Sequence, residues 1–144
     1  MPDNTQVVDS PTEWVADHIK RYVETDGEEG HEWRGTTCLL LTTTGRKSGK
    51  RYRTALIYGK DGDKYMIVGS RGGAPTHPQW YLNLLDNPEV DLQVKADKFK
   101  ARARVATGDE RARLWKIMAA IFPNYDEYQA KTTREIPLVV LERS

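Results

Sequence analysis

Residues 90–105, VDLQVKADKFKARARV, carry the clearest structural pattern in the chain. Apolar side chains occupy every second position on both sides of a turn near Asp97: Val90, Leu92, Val94, Phe99, Ala101, Ala103 and Val105. Cations fill the alternate positions after the turn: Lys98, Lys100, Arg102 and Arg104. A period of two is typical of a strand with one face in the core and the other in water. The stretch therefore predicts an antiparallel hairpin.

The sequence on either side of this hairpin predicts further strands and helices. Strands are predicted at 37–43, 51–58, 64–69 and 136–141, with the hairpin signal Asp61-Gly62 before the third. Helices are predicted after the capping boxes Ser10-Pro11-Thr12-Glu13 and Thr107-Gly108-Asp109-Glu110, at 80–85 and from 124. Strands that mostly follow strands indicate an α+β protein with mostly antiparallel pairing. The economical architecture is an open or split β-barrel with packed helices.

Length and composition place the chain in a broad class. At 144 residues it suits one domain, expected over 10–144 after a flexible tail at 1–9. Neither a signal peptide nor a membrane span is apparent, so a cytoplasmic protein without stable membrane insertion is expected. The single cysteine, Cys38, excludes an internal disulfide, and the three scattered histidines offer no metal site. The sequence leaves the oligomeric state open.

The charges are strongly segregated along the chain. Residues 1–32 have a net charge of −7, whereas residues 33–60 have a net charge of +7 and contain no acid. The basic stretch includes a glycine-bounded turn, TGRKSGKR at 44–51, with Arg51 and Arg53 on the following strand. Its spacing does not match a P-loop, and no helix follows. It predicts an anion site, with a solvated basic turn as the alternative.

Three other segments could contact a ligand. In Ser70-Arg71-Gly72-Gly73 the two glycines permit close approach to the backbone. The short helix after it carries Trp80 and Tyr81, either as core residues or as a wall for a flat ring, and the Asn83 amide could bind polar groups. Tyr125 and Tyr128 share a helix face, where they could close a pocket or pack on the barrel.

Several other functions find little support. The chain has neither a GxSxG nor a GxGxxG motif, and His77 before Pro78 is typical of a helix start rather than of a base. A nucleic-acid-binding domain is an alternative, although the near-neutral total charge and the acidic first segment oppose it. The residues alone thus indicate an anionic ligand that contains a ring.

Four segments resemble the deazaflavin-dependent nitroreductase family of actinobacteria. They are LLLTTTGRKSGK at 39–50, RTALIYGKDGDKYMIVGSRGGAPTHPQWYLNLLDNPEV at 53–90, FPNYDEYQ at 122–129 and IPLVVLE at 136–142. The resemblance implies the split β-barrel fold shared with flavin-type pyridoxamine phosphate oxidases. It also implies coenzyme F420, an 8-hydroxy-5-deazaflavin with a phosphate and a polyglutamate tail, as cofactor. A hydride from the reduced cofactor would go to a small-molecule acceptor such as a quinone, a nitroaromatic compound or an activated alkene.

The resemblance also implies a set of site residues. The cofactor tail would be held by Arg46, Lys47 and Ser48, with Arg53 beside them. The remaining cofactor-binding residues would be Tyr52, Thr54, Ala55, Leu56, Ile57, Val68, Gly69, Ser70, Arg71, Gln79, Trp80, Tyr81, Asn83 and Tyr125. Ser70 and Tyr125 would orient or protonate the acceptor, with Tyr128 shaping the pocket. A non-catalytic protein that binds a deazaflavin, a flavin or a tetrapyrrole-like ligand is the alternative.

The chain departs from the family pattern at three positions. Ala55 stands where proline is frequent, Ile57 where some members have tyrosine, and Phe122 where a third tyrosine can occur. These differences leave cofactor binding in place and weigh against activation of nitroimidazole prodrugs. The charge of −7 over residues 1–32 also differs from the more apolar first helix of membrane-associated members and opposes attachment to anionic lipid.

Overall fold

One sheet forms the body of the molecule. The structure is a computed structural model that describes residues 7–9, 13–33 and 36–144. Nine strands lie within these residues. They are β1 (Val7–Asp9), β2 (Glu32–Trp33), β3 (Thr36–Thr44), β4 (Arg51–Ile57), β5 (Gly59–Asp61), β6 (Lys64–Val68), β7 (Glu89–Val94), β8 (Asp97–Val105) and β9 (Leu138–Arg143).

The sheet is curled into a half-barrel. The order is β1-β4-β3-β7-β8-β9-β6-β5, and β2 pairs with β3 outside this path. Strand β1 runs parallel to β4, whereas the other described pairs are antiparallel. At the open side β4, which is second in the order, approaches β6, which is second from its other end. This gap between β4 and β6 is the split of the barrel, and it is where the cavity described below opens.

Four helices and one short turn pack around the sheet. They are α1 (Glu13–Glu24), a 3₁₀ turn (Arg71–Gly73), α2 (Gln79–Asp86), α3 (Gly108–Ile121) and α4 (Asn124–Lys131). Helices α3 and α4 cover the β6 and β9 side through a cluster that contains Met66, Met118 and Tyr125. Gly59 allows the close approach of α3, because a Cβ atom there would lie only 2.5 Å from the sulfur of Met118.

The alternating hairpin predicted from the sequence is confirmed. Strands β7 and β8 pair antiparallel with Leu92 opposite Phe99. Ala101 and Ala103 are buried in the barrel interior, while Lys98 and Lys100 are exposed. The period of two therefore reports the burial of most of this hairpin, and the exception is Gln93, which the alternation places on the wet face and which is buried. The α+β class and the mostly antiparallel pairing are confirmed as well.

Three local predictions need correction or lie outside the described residues. Val7–Asp9, expected in a flexible tail, forms a strand on β4. Thr107 precedes α3 but makes no side-chain capping bond, and the Glu110 side chain pairs with Arg104 through both carboxylate oxygens at 2.5 and 2.9 Å. The first capping box has residues 10–12 outside the described part of the chain.

Candidate active site

A cavity of about 370 Å³ opens where β4, the end of β6, α2 and α4 meet. Its described lining consists of His18, Cys38, Ala55, Leu56, Ile57, Val68, Ser70, Arg71, Pro78, Trp80, Phe122, Tyr125 and Tyr128. Most of this lining is apolar or aromatic. Such a surface suits the face of a flat ring, with polar groups confined to a few positions.

The segment from Phe122 to Tyr128 contributes three aromatic rings to the lining. The ring centroid of Tyr125 lies 5.2 Å from that of Phe122 and 6.5 Å from that of Tyr128, both in edge-to-face geometry. The Tyr125 side chain is 4% exposed, and this burial raises its pKa well above the ordinary value for tyrosine. None of the described residues forms a hydrogen bond with its hydroxyl group. Tyr125 is therefore a protonated donor whose hydroxyl has no partner among the residues that the structure describes.

The segment after β6 brings Ser70 and Arg71 to the cavity. Ser70 is buried, and its backbone carbonyl accepts a hydrogen bond from the N–H of Gly73 at 2.9 Å. Its hydroxyl group has no hydrogen-bond partner in the described part of the chain. Gly73 has φ +83°, and a Cβ atom there would lie 3.0 Å from the carbonyl oxygen of Tyr128. Glycine thus lets this segment pack directly on the α4 backbone.

Arg134, which the sequence analysis missed, holds the same segment from the other side. Its guanidinium donates to the carbonyls of Gly69, Ser70 and Ala74 at 3.1, 2.7 and 2.8 Å. It also donates to Nδ1 of His77 at 3.0 Å. Burial, followed by the charge of Arg134, lowers the pKa of His77, which keeps the imidazole neutral and able to accept.

Residues 45–50, hereafter the basic turn, lie at the other end of the site from the Ser70 segment. Asn83 accepts hydrogen bonds from the backbone N–H and the guanidinium of Arg46 at 3.3 and 2.8 Å. Gln79 accepts from the same guanidinium at 2.8 Å. Both acceptors belong to α2, which also carries Trp80 of the cavity. Helix α2 therefore joins the turn to the cavity.

The basic turn presents further donors to solvent. Lys47 and Ser48 are exposed, and their backbone N–H groups have no hydrogen-bond partner among the described residues. Tyr52 supports the turn, because its ring packs on Gly45, where a Cβ atom would lie 2.6 Å from it. The Tyr52 hydroxyl also lies 3.0 Å from Oγ of Ser48. The turn combines cations with free N–H groups, the donor set that anionic oxygens take.

Arg51 differs from the other cations of this region. It pairs with Asp91 on β7 and donates to Oγ1 of Thr44 at 2.8 Å. The sequence-based interpretation placed Arg51 in the anion site, but the structure engages it within the sheet. Arg53 and Thr54 are half-buried on β4, between the basic turn and the cavity.

The predicted site residues thus fall into two groups and one outlier. Nine of them line the cavity, namely Ala55, Leu56, Ile57, Val68, Ser70, Arg71, Trp80, Tyr125 and Tyr128. Gly69 adjoins this group. The residues around the basic turn are Arg46, Lys47, Ser48, Tyr52, Arg53, Thr54, Gln79 and Asn83. Tyr81 is the outlier, because its side chain is 9% exposed within the core and its ring contacts His77.

His18 and Cys38 also line the cavity and were not predicted as site residues. Oxygen of Gly30 lies 2.6 Å from Nε2 of His18, so α1 is tied to the connection that follows it. Burial raises the pKa of the Cys38 thiol to about 12, which leaves it un-ionised at neutral pH. Both residues shape the cavity, and no sequence motif marked them.

Comparison with known proteins identifies relatives across nearly the whole chain. The family model described as F420H(2)-dependent quinone reductase matches residues 14–143. An F420H(2)-dependent quinone reductase of Mycobacterium tuberculosis is 44% identical over 130 residues, which cover 88% of this chain and 87% of the relative.

Solved structures give the same result for the fold. A structure described as a domain-swapped dimer has a TM-score of 0.71 at 40% identity, covering 92% of this chain and 100% of its own. An F420-H2 dependent reductase has a TM-score of 0.69 at 41% identity, covering 76% and 95%. A pyridoxamine 5'-phosphate oxidase-like protein of Listeria innocua, at 11% identity and a TM-score of 0.54, covering 74% and 83%, shares the fold alone. The split-barrel prediction is thereby confirmed.

Two kinds of feature do not occur in the described part of the chain. Among them, no helix is both long and apolar enough to cross a membrane. No group of three or more potential metal ligands occurs in the same residues.

Proposed function

We propose, from the premise that this chain belongs to the F420H(2)-dependent quinone reductase family, that it transfers a hydride from reduced coenzyme F420 to a quinone. Nitroaromatic compounds and activated alkenes are further acceptors in this proposal. The observation that carries it is one continuous site, in which α2 joins a cavity bounded by Ser70 and Tyr125 to the basic turn. The cavity suits a ring and the turn suits an anionic tail.

The residues present fit coenzyme F420 on structural grounds. The cofactor has a flat ring system at one end and a phosphate with carboxylates at the other. The cavity lining includes Ala55, Leu56 and Trp80, which offer apolar and aromatic surface for a ring. The basic turn offers cations and free N–H groups in the described part of the chain. When bound, the reduced deazaflavin supplies the hydride.

The basic turn would hold the anionic tail. Lys47 and the N–H groups of Lys47 and Ser48 face solvent without internal partners among the described residues, so binding an anion requires no rearrangement. Arg46 is already fixed by Gln79 and Asn83, which reduces the loss of side-chain entropy on binding. A charged hydrogen bond contributes about 1.5–3 kcal/mol, so two or three of them anchor a tail firmly. Arg53 adds positive charge beside this turn.

The cavity would orient the two reactants. Ala55, Leu56 and Ile57 form an apolar strip on β4, and Trp80 of α2 adds an aromatic surface. Both would exclude water from the faces of a bound ring, which would strengthen electrostatic interactions inside the site. The Ser70 hydroxyl, which has no partner among the described residues, would hydrogen-bond to an oxygen on which negative charge develops during the transfer.

Tyr125 would deliver the proton that a reduced quinone requires. A phenol is already protonated at neutral pH, and burial raises the pKa of Tyr125 further, so the hydroxyl would hydrogen-bond to the acceptor oxygen as charge accumulates there and would give up its proton only to an oxygen of comparable basicity. Tyr128 lies beside it and would shape the entrance. Phe122 and Ile57 make this part of the lining apolar, which favours acceptors with an apolar ring over nitroimidazoles.

Titration of the purified protein with coenzyme F420 and, separately, with FMN tests the cofactor by fluorescence. Tight binding of F420 but not FMN, followed by steady-state reduction of a soluble quinone, is the expected result. Binding of FMN alone would assign the barrel to ordinary flavin chemistry. Binding of F420 without turnover on quinones, nitroaromatics or activated alkenes would make the chain a non-catalytic F420-binding protein. Binding of neither would refute the oxidoreductase function.

A further inference from the structure

The Arg134 side chain donates four hydrogen bonds to a single loop. It lies between α4 and β9, outside every motif described above. Its four acceptors belong to residues 69–77, the connection between β6 and α2. The side chain is half-buried, and its burial lowers its pKa without removing the charge of a guanidinium. A planar guanidinium with five donors can satisfy such a set, whereas an ammonium group cannot.

Two of these bonds determine where the Ser70 side chain points. The carbonyl of Gly69 and the carbonyl of Ser70 belong to the peptide planes on either side of the Ser70 Cα atom, and Arg134 binds both. Because each peptide unit is planar, fixing both carbonyls fixes both planes. The direction of the Cα–Cβ bond of Ser70 is then restrained, and the hydroxyl can occupy only the staggered χ1 positions about that bond. The two carbonyls are also occupied by the guanidinium, so they do not compete with the hydroxyl for a ligand.

The backbone of Arg134 is in turn fixed to α4. Nε2 of Gln129 donates to the carbonyl of Arg134 at 2.8 Å, and Oε1 of Gln129 accepts from the N–H of Ile136 at 2.9 Å. Gln129 lies on α4, one helical turn after Tyr125. Arg134 therefore connects the helix that carries Tyr125 to the loop that carries Ser70.

We propose that Arg134 is a positioning residue, which sets the Ser70 hydroxyl relative to the Tyr125 hydroxyl across the cavity without touching the ligand. This inference rests on the proposed function, because it assigns Arg134 a place in the hydride and proton transfer described above. A displacement of reacting groups by about 1 Å can lower a rate by about 100-fold. Loss of the hydrogen bonds between Arg134 and residues 69–77, hereafter the Arg134 clamp, should accordingly lower kcat more than it weakens cofactor binding.

The test compares Arg134→Ala and Arg134→Lys with Arg111→Ala. Arg111 is the matched control, because its guanidinium donates to the carbonyl of Ile136 at 2.7 Å, near the same segment but away from residues 69–77. The kinetic readouts are kcat, KM and the Kd for F420. The local readout, taken without cofactor, is the rate of tryptic cleavage after Arg71, an exposed residue of the clamped loop.

Both Arg134 variants should lower kcat by about tenfold or more and change the cofactor Kd by less than about threefold. Cleavage after Arg71 should accelerate in both variants and not in Arg111→Ala, because only the former release this loop. Added guanidinium salt should restore part of the kcat of Arg134→Ala. Lysine preserves the charge and most of the volume, so Arg134→Lys keeps the test valid where the alanine variant does not fold.

Two results would overturn the inference. One is a folded Arg134 variant with wild-type kcat and wild-type cleavage after Arg71. The other is an equal loss of kcat in Arg111→Ala, which would indicate general destabilisation. If the wild-type protein shows no turnover, the proposed function fails, and the cleavage rates in the absence of cofactor still decide whether Arg134 clamps the loop.

Discussion

The two ends of the candidate site differ in how their side chains are held. At the basic turn, Lys47 and Ser48 are exposed. At the cavity end, Tyr125 and Ser70 are 4% and 8% exposed. Both lie in segments fixed by packing or by Arg134. The basic turn can therefore bind through charge with little demand on geometry, whereas the cavity end depends on the placement of a few hydroxyl groups.

This difference separates affinity from turnover. Charges in water are screened by salt, so the basic turn should give an affinity that falls as ionic strength rises. Groups buried beside a reacting atom act through distance and direction, and salt affects them little. Substitutions at the two ends should consequently change different kinetic constants, and the variants of Tyr125 and of the basic turn test that separation.

Tyr125→Phe should produce the largest change. Removing the phenol deletes the proposed proton donor but leaves the ring that packs on Phe122. We expect kcat for quinone reduction to fall by about 100-fold, with little change in the Kd for F420. Tyr128→Phe is the control, because it removes a phenol from the same lining and should have a much smaller effect. Equal rates for wild type and Tyr125→Phe would remove the proton-transfer role.

The double substitution Arg46→Ala and Lys47→Ala should instead act on binding. Loss of two charged contacts should weaken F420 binding by about 10- to 100-fold, or about 1.4–2.8 kcal/mol in total, because water and salt around this exposed turn reduce the contribution of about 1.5–3 kcal/mol that one charged hydrogen bond can make. The dependence of Kd on salt should become shallower, while kcat at saturating cofactor changes little. Lys98→Ala, on the exposed face of β8, serves as the control. An unchanged Kd in the double variant would exclude the basic turn from the site.

Gly73→Ala tests whether the cavity end depends on close packing. Alanine at φ +83° is strained by about 1–2 kcal/mol, and its Cβ atom would also lie 3.0 Å from the carbonyl oxygen of Tyr128. Gly62→Ala is matched to it, because Gly62 has φ +64° with no atom within 4 Å of the added Cβ. We expect urea unfolding to show a greater loss of stability for Gly73→Ala, together with a lower kcat. If the two variants lost equal stability and had equal kcat values, the loop at residues 69–77 and α4 would not need to pack closely.

How much the sequence predicted depends on the range of the interactions involved. Local alternation identified β7 and β8, because burial of one face imposes a period of two. Glycines and cations near the strand ends identified the basic turn and the Ser70 segment. By contrast, the pairing of β1 with β4 and the contacts of Arg134 join residues more than 40 positions apart.

Two local features show what the sequence pattern left open. Thr107 and Glu110 have capping-box spacing, but Thr107 makes no capping bond, and the Glu110 carboxylate pairs with Arg104, which lies six positions earlier at the end of β8. Tyr81 shares a helix with Trp80, and the sequence could not determine which of the two faced the cavity. Adjacent helical positions point about 100° apart, and the fold directs Tyr81 into the core and Trp80 toward the lining.

The smallest expected effect lies at the cavity end. It concerns how the free energy of unfolding depends on pH. His77 accepts a hydrogen bond from Arg134, and its pKa is lowered by burial and then by that charge. Because the folded-state pKa lies below the unfolded value of about 6.5, the unfolded chain binds more protons as the pH falls. The contribution of neutral His77 is therefore complete above pH 6.5 or so and is lost as the pH falls through the folded-state pKa.

His77→Gln should flatten part of this dependence, since a glutamine oxygen can accept from Arg134 at every pH. Urea unfolding of both proteins at pH 7.5 and pH 5.5 would measure how their free energy of unfolding depends on pH. Wild type should lose more stability between the two values than the variant does. His31, whose pKa is also lowered by burial, should supply the dependence that remains. The carboxylates of Asp61 and Glu110 titrate below this window, because arginine partners lower their pKa values. Identical slopes in wild type and variant would mean that the imidazole does not accept from Arg134, and the clamp would then rest on the three loop carbonyls alone.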